Sequence, residues 1–220
     1  MKMKTPVSRR FAPVATLAMA LLVSACGDDP DKLVSSAQDY LNRQDAPAAI
    51  IQLKNALKAK PDLVKARLML GQALLATGDA QGAETEFKKA QDLGAPADEF
   101  VPQLVLALLQ TRQYDKVTND YAGKQLGNDA AQASLQTSVA IAWQRQGKLD
   151  KARESLNGVL KAKPDYAPAL LELARTSAMS GDIEGALAGV EKVPRESPSG
   201  PEALKLRGDL LLYFKRDLAG

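Results

Sequence analysis

The sequence predicts an all-α fold, a right-handed solenoid of helix–turn–helix repeats, on three observations. Small and large apolar residues recur at a spacing close to 34 residues from position 30 onward. Glycines and prolines punctuate that spacing: Gly78, Gly147 and Gly181 inside the repeats, Pro61, Pro164 and Pro198 between them. The composition suits helices, with 45% hydrophobic residues, alanine and leucine recurring throughout, and only 5% aromatic.

The second copy, Val64–Ala97, is the plainest. Leu70 and Gly71 make the small-residue crossing of its first helix, and Thr77, Gly78 and Asp79 make the turn. Ala83, Phe87 and Ala90 make the packing face of its second helix. The first copy, Pro30–Leu63, places Ala37, Tyr40, Ala49, Leu53, Ala56 and Pro61 in the same register. The fourth, Ala133–Tyr166, has Ala140, Trp143, Gly147, Ala152, Leu156 and Pro164; the fifth, Ala167–Gly200, has Leu173, Ala174, Gly181, Ala186 and Pro198. The third, Asp98–Gln132, keeps Leu104, Leu108, Val117 and Tyr121 but carries Arg112 where the turn glycine belongs. Gly123 and Gly127 are expected to cut its second helix short. A sixth opens at Pro201 with Leu204, Gly208 and Leu211 and reaches Gly220 inside its second helix. The apolar run Leu210–Phe214 would then lack a covering helix, so the expectation is the N-terminal piece of a longer array or a truncated reading frame.

These residue types have physical reasons. A small residue where two helices cross lets the backbones approach, and a large residue from the mate fills the groove beside it. A glycine takes the left-handed turn conformation at no steric cost, and a proline after the second helix stops it. The register resembles that of the tetratricopeptide repeat (TPR), and the spacing of four copies in one frame covers nearly the whole chain after residue 30. That resemblance implies a concave groove, lined by the first helix of each repeat, which holds an extended or helical segment of a partner protein. Carried over by register, the groove positions are Gln38, Leu41, Asn42, Lys65, Leu68, Gln72, Leu75, Leu106 and Gln110. They continue with Ile141, Gln144, Arg145, Leu171, Arg175 and Met179. The carboxylate clamp of chaperone-adaptor TPRs is not expected, because Met69 follows Lys65 by a turn and Gln38 stands where that clamp needs asparagine.

The first 31 residues read differently. Lys2, Lys4, Arg9 and Arg10 precede the apolar stretch Phe11–Val23, which as a helix reaches roughly 20 Å against a hydrocarbon core of about 30 Å. That is a secretory signal rather than a span. Val23-Ser24-Ala25-Cys26 resembles the lipobox of bacterial lipoproteins, which implies cleavage between Ala25 and Cys26 and acylation of Cys26, the only cysteine in the chain. Several acyl chains anchor a protein stably where one binds marginally. Gly27 occupies the position where aspartate resembles an inner-membrane retention signal, so the resemblance favours the periplasmic face of the outer membrane of a Gram-negative cell. The expected organisation is a signal peptide over 1–25, a lipidated tether over 26–31 and a solenoid over 32–220.

Composition excludes several functions. No histidine and one cysteine leave neither an internal disulfide nor an ordinary zinc or haem site, so no metal or cofactor is expected. Once the four signal-peptide cations are removed, 25 basic residues face 26 acidic ones, and nothing points to nucleic acid. No catalytic constellation is visible. Ser155 and Lys151, one turn apart, read as a solvated helix face, and the chain is expected not to be an enzyme.

The mature N-terminal region resembles one group of TPR lipoproteins. The lipobox followed by AIIQLKNALKAKPD and by LLATGDAQGAETEFKKAQDLGAP is similar to the long TPR lipoproteins that accompany exosortase/PEP-CTERM systems. The resemblance implies a scaffold in surface-protein sorting or exopolysaccharide production. Two competing expectations are a TPR lipoprotein of outer-membrane-protein assembly or pilus biogenesis, and the TPR part of a longer enzyme.

Overall fold

A computed structural model describes residues 29–217, with side chains as far as Leu212. The signal peptide, the Ala25–Cys26 cleavage site and the acylated Cys26 lie outside the described residues. The described residues form eleven helices and no strand. They fall into pairs: α1 (Pro30–Asn42) with α2 (Ala46–Ala59), α3 (Val64–Ala76) with α4 (Ala80–Asp92), and α5 (Ala97–Gln110) with α6 (Tyr114–Tyr121). Then follow α7 (Asp129–Arg145) with α8 (Leu149–Ala162), α9 (Ala167–Met179) with α10 (Ile183–Val190), and α11 (Gly200–Asp217). Each helix packs on the next, and each first helix also packs on the first helix of the following pair, which is the architecture of a TPR solenoid.

The turn inside each pair repeats one device. Gln44, Gly78, Arg112, Gly147 and Gly181 all sit at positive φ, between 58° and 85°. The residue after each returns its N–H to a carbonyl five residues back, as Asp79 does to Leu74 at 2.9 Å and Gln113 to Leu108 at 2.8 Å. Asp45, Asp79 and Asp182 then cap the next helix by accepting from the backbone N–H three residues on. Two of the five left-handed positions carry a side chain, Gln44 and Arg112. The conformation is therefore imposed by the paired helices and not by glycine alone.

The crossings obey a size rule. Gly71 lies against Phe87, and a Cβ built on it would stand 2.6 Å from the ring. The residues in the same register are Ala37 with Leu53, Ala140 with Leu156, and Ala174 with Val190, every one of them buried. The third pair breaks the rule, because Val105 stands where the others have glycine or alanine, and its counterpart Tyr121 is only half-buried. Helix α6 ends at that tyrosine, before Gly123, as the glycines led one to expect. Val105 remains fully buried because α5 packs broadly on α7, and the two share one core with α1–α4.

Four boundaries differ from the sequence reading. Helix α1 starts at Pro30, where the first repeat copy was read to begin, and so takes in the last two residues of the stretch read as tether, because the Asp29 side chain caps it and a proline suits the first turn. Helix α7 starts at Asp129 rather than Ala133, since Asn128 accepts from the N–H groups of both Ala130 and Ala131. Helix α10 stops at Val190, well short of Pro198, and turns carry the chain to α11. Helix α11 runs on to Asp217 without a turn glycine to stop it. Among the described residues no helix is long and apolar enough to cross a membrane.

Candidate partner-binding groove

The first helices α1, α3, α5, α7, α9 and α11 touch in succession and make one continuous wall. Along it the side chains one and five residues past each crossing point outward. Gln38, Asn42, Gln72, Gln110 and Arg145 are exposed, as are Lys65 near the start of α3 and Met179 at the end of α9. Leu41, Leu75, Leu106 and Ile141 are half-buried between them. Leu68 and Leu171 lie in the core instead, because their position turns under the wall toward the neighbouring helix. Gln38 donates to Asn42 at 3.1 Å along α1, leaving the remaining amide groups open to solvent.

The structure draws five of the expected residues together at one place. Ile141, Gln144, Arg145, Arg175 and Met179 line a cavity of about 380 Å³ between α7, α9 and α11. Glu172, Ala178, Glu202 and Leu206 complete it. Gln38, Asn42, Lys65, Gln72 and Gln110 do not join it; they lie further along the wall, on α1, α3 and α5.

The cavity is held by a buried polar joint. The Gln144 side chain is 5% exposed, and its amide donates to the Thr176 hydroxyl at 2.8 Å and the Glu172 carbonyl at 3.0 Å. Thr176 in turn donates to the same carbonyl at 2.8 Å. Gln144 thus fastens α7 to α9 and has no amide hydrogen to spare for two further acceptors. Arg175 donates to Glu202 at 2.6 Å, and its Nε stands 3.4 Å from Glu172 without a hydrogen-bond partner among the described residues. Burial pushes the Glu172 carboxyl above the usual carboxylate range, and Arg175 offsets part of that. Two arginines and two glutamates line it together with the apolar Ile141, Ala178, Met179 and Leu206. Such a place suits a polypeptide side chain with an apolar body and a polar tip.

Sequence reasoning missed Glu172, Glu202 and Leu206, although the signal was present. Glu202 stands at the register of Lys65, and both Glu172 and Leu206 at that of Met69, which is core in the second repeat.

Solved structures agree with this fold. The chain is similar to YrrB, described as a TPR protein with an unusual peptide-binding site, at 18% identity and a TM-score of 0.60, over 86% of this chain and 92% of that one. It is similar to the TPR protein TTC0263 of Thermus thermophilus at 17% identity and 0.66, over 84% and 100%. Pseudomonas aeruginosa pilF matches at 17% and 0.66, over 86% of each chain. At these identities the likeness is one of fold. A search of curated protein sequences finds no significant match. Two sequence profiles, each described as tetratricopeptide repeat, match residues 35–98 and 144–210, more than half of the chain between them. With the helix pairs that contain those residues, this shows that the chain carries tetratricopeptide repeats.

Proposed function

We propose that this protein is a non-enzymatic scaffold that holds a segment of a partner protein along its first-helix groove. The observation that carries the reading is the cavity between α7, α9 and α11, where Ile141, Arg145, Arg175 and Met179 converge at the end of a wall of exposed amides. YrrB, alike in fold, is described as having a peptide-binding site. Acylation of Cys26 would hold the scaffold at the periplasmic face of a membrane, the outer one on the strength of Gly27. The resemblance to exosortase/PEP-CTERM lipoproteins supports a role in surface-protein sorting or exopolysaccharide production. The pilus-biogenesis alternative draws on the likeness to pilF, which is a likeness of fold. A catalytic part joined to these repeats remains the other alternative.

A photo-crosslinking residue at Gln72 or Met179, in cells, should trap a discrete adduct that the same residue at Lys161, an exposed position of α8, does not. Equal yields from all three positions would contradict the groove. Labelled palmitate should enter the wild type and not Cys26→Ser; a Cys26→Ser chain that still matures and stays with membranes would contradict the anchor. Deletion of the gene should impair exopolysaccharide or surface-protein sorting with piliation intact, and the reverse would favour the alternative.

A further inference from the structure

The outer face of α2 differs from those of its counterparts in other repeats. Ile51 is 59% exposed there, and Lys54, Asn55 and Lys58 are exposed beside it. At 100° per residue these four fall on one stripe, opposite the buried packing face of Ala49, Leu53 and Ala56. Exposure at this position is no end effect. In the same register α4 carries Thr85 and α8 carries Glu154, both exposed although repeats lie on either side of them. An isoleucine thus stands where those helices keep a polar residue toward solvent. The charges differ too. The lysines of α4 are held by acids of their own helix, Lys88 by Glu84 and Lys89 by Glu86. Helix α2 contains no acid, and neither Lys54 nor Lys58 forms an ion pair among the described residues.

We infer, on the reading of Cys26 as the acylated end, that this stripe rests on the surface of a phospholipid bilayer. Ile51 enters the boundary between headgroups and acyl chains, and Lys54 and Lys58 meet anionic headgroups. Cys26 precedes Asp29, the cap of α1, by three residues, a reach of at most about 11 Å. Helices α1 and α2 pack antiparallel, so the C-terminal half of α2, with both lysines, lies beside that end. Lys60 and Lys65, exposed where the chain passes into α3, extend the cationic surface, and Asp62 is the acid among them. One isoleucine and a few lysines bind a bilayer weakly on their own. Beside an anchor the same contacts need only orient a chain already held there. A lone aliphatic side chain amid lysines suits a headgroup layer, which accepts it at any point, where an acidic protein would need a matching pocket. The stripe points away from α1, so a chain resting on it turns its first-helix wall away from the bilayer and leaves the groove open.

The test uses the acylated chain in vesicles, with a dye on a cysteine placed at Asn55 or at Glu154, since Cys26 is the only native one. The vesicles are phosphatidylcholine with or without phosphatidylglycerol, and carry a quencher on a headgroup. Flotation with the neutral vesicles reads the anchor, and quenching reads the face. The Asn55→Cys dye should be quenched several-fold more in anionic vesicles than in neutral ones, and the Glu154→Cys dye in neither. Salt at about 1 M should release it, because the Debye length then falls to about 3 Å. Lys54→Gln and Lys58→Gln should each lower the docked-to-undocked ratio roughly fivefold with the melting midpoint unchanged. Ile51→Thr, after its counterpart Thr85, should lower it as well. A chain that floats but is quenched equally at both positions, or equally in both lipids, would overturn the docking and leave the anchor standing. A chain that does not float with neutral vesicles would overturn the anchor and the docking with it.

Discussion

The second and third repeats differ at one crossing, and the difference shows what closes a helix pair. In the second, Gly71 receives Phe87, α4 runs from Ala80 to Asp92, and Ala83, Phe87 and Ala90 are all fully buried. In the third, Val105 stands at the glycine's place, Tyr121 is half-buried at the end of the eight-residue α6, and only Val117 and Thr118 of that helix are buried. The valine is not wasted, because it is buried where α5 meets α7. A bulky crossing residue thus moves the packing from the mate within the repeat to the first helix of the next repeat. Burial of apolar surface is conserved in kind while the pairing loosens.

What fastens α6 is largely polar. Glu84 on α4 accepts from Lys88, from Gln113 at 2.8 Å and from Lys116 at 3.2 Å, tying the start of α6 to the preceding pair. Burial alone would raise the Glu84 carboxyl, but these three donors outweigh it and hold it below the usual range. The second repeat, by contrast, adds a largely buried Arg67–Glu86 pair at 2.6 Å to a crossing already closed by Phe87.

The largest expected effect tests the crossing rule. Gly71→Leu should destabilise by about 1–3 kcal/mol, because Phe87 is fully buried and has nowhere to retreat. Gly158→Ala, on α8 where a Cβ meets nothing, should instead stabilise by roughly 0.5–1 kcal/mol through helix propensity. Thermal midpoints moving the same way for both variants would break the rule.

Gln144→Leu should cost about 1–3 kcal/mol, since it removes two buried hydrogen bonds that join α7 to α9 while the Thr176–Glu172 bond within α9 stays. Urea titration would measure it, and a neutral outcome would mean that α7 and α9 are held by apolar contacts alone. Arg112→Gly should stabilise by about 1 kcal/mol by relieving a left-handed arginine at φ 58°, and more than the same change at an exposed right-handed residue. If it destabilises, the side chain of Arg112 is a contact and not a strain.

Glu84→Gln gives the smallest effect and a pH signature. A carboxyl held below its ordinary range contributes stability that is present above its unfolded pKa and lost as pH falls through its folded one. Wild type should therefore exceed Glu84→Gln at neutral pH and converge on it in acid. A gap that widens on acidification would reverse the assignment.

Much of this was legible in the sequence because each repeat restates the same physics. Gly71, Ala140 and Ala174 announced their crossings, and Gly123 announced the early end of α6. Other features were not legible. Gln44 gave no hint of its left-handed backbone, which the two helices it joins impose on it. Gln144 read as a groove amide, yet the approach of α9 turns it inward onto Thr176, and that approach is a property of neighbouring repeats rather than of any local pattern. Of the cavity's acids, Glu172 was hidden because it shares its register with buried Met69, whereas Glu202 stands at the register of Lys65 and was open to the same reading.

Helix α6 is the loosely closed member of the stack. Native-state hydrogen exchange measures it directly. The backbone amides of Val117–Tyr121 should open at a distinctly lower free energy than those of Phe87–Ala90 in α4, with α5 as protected as α3. Equal protection across α4 and α6 would show that the third pair is closed as firmly as the second, and that the size of the crossing residue does not decide the pairing.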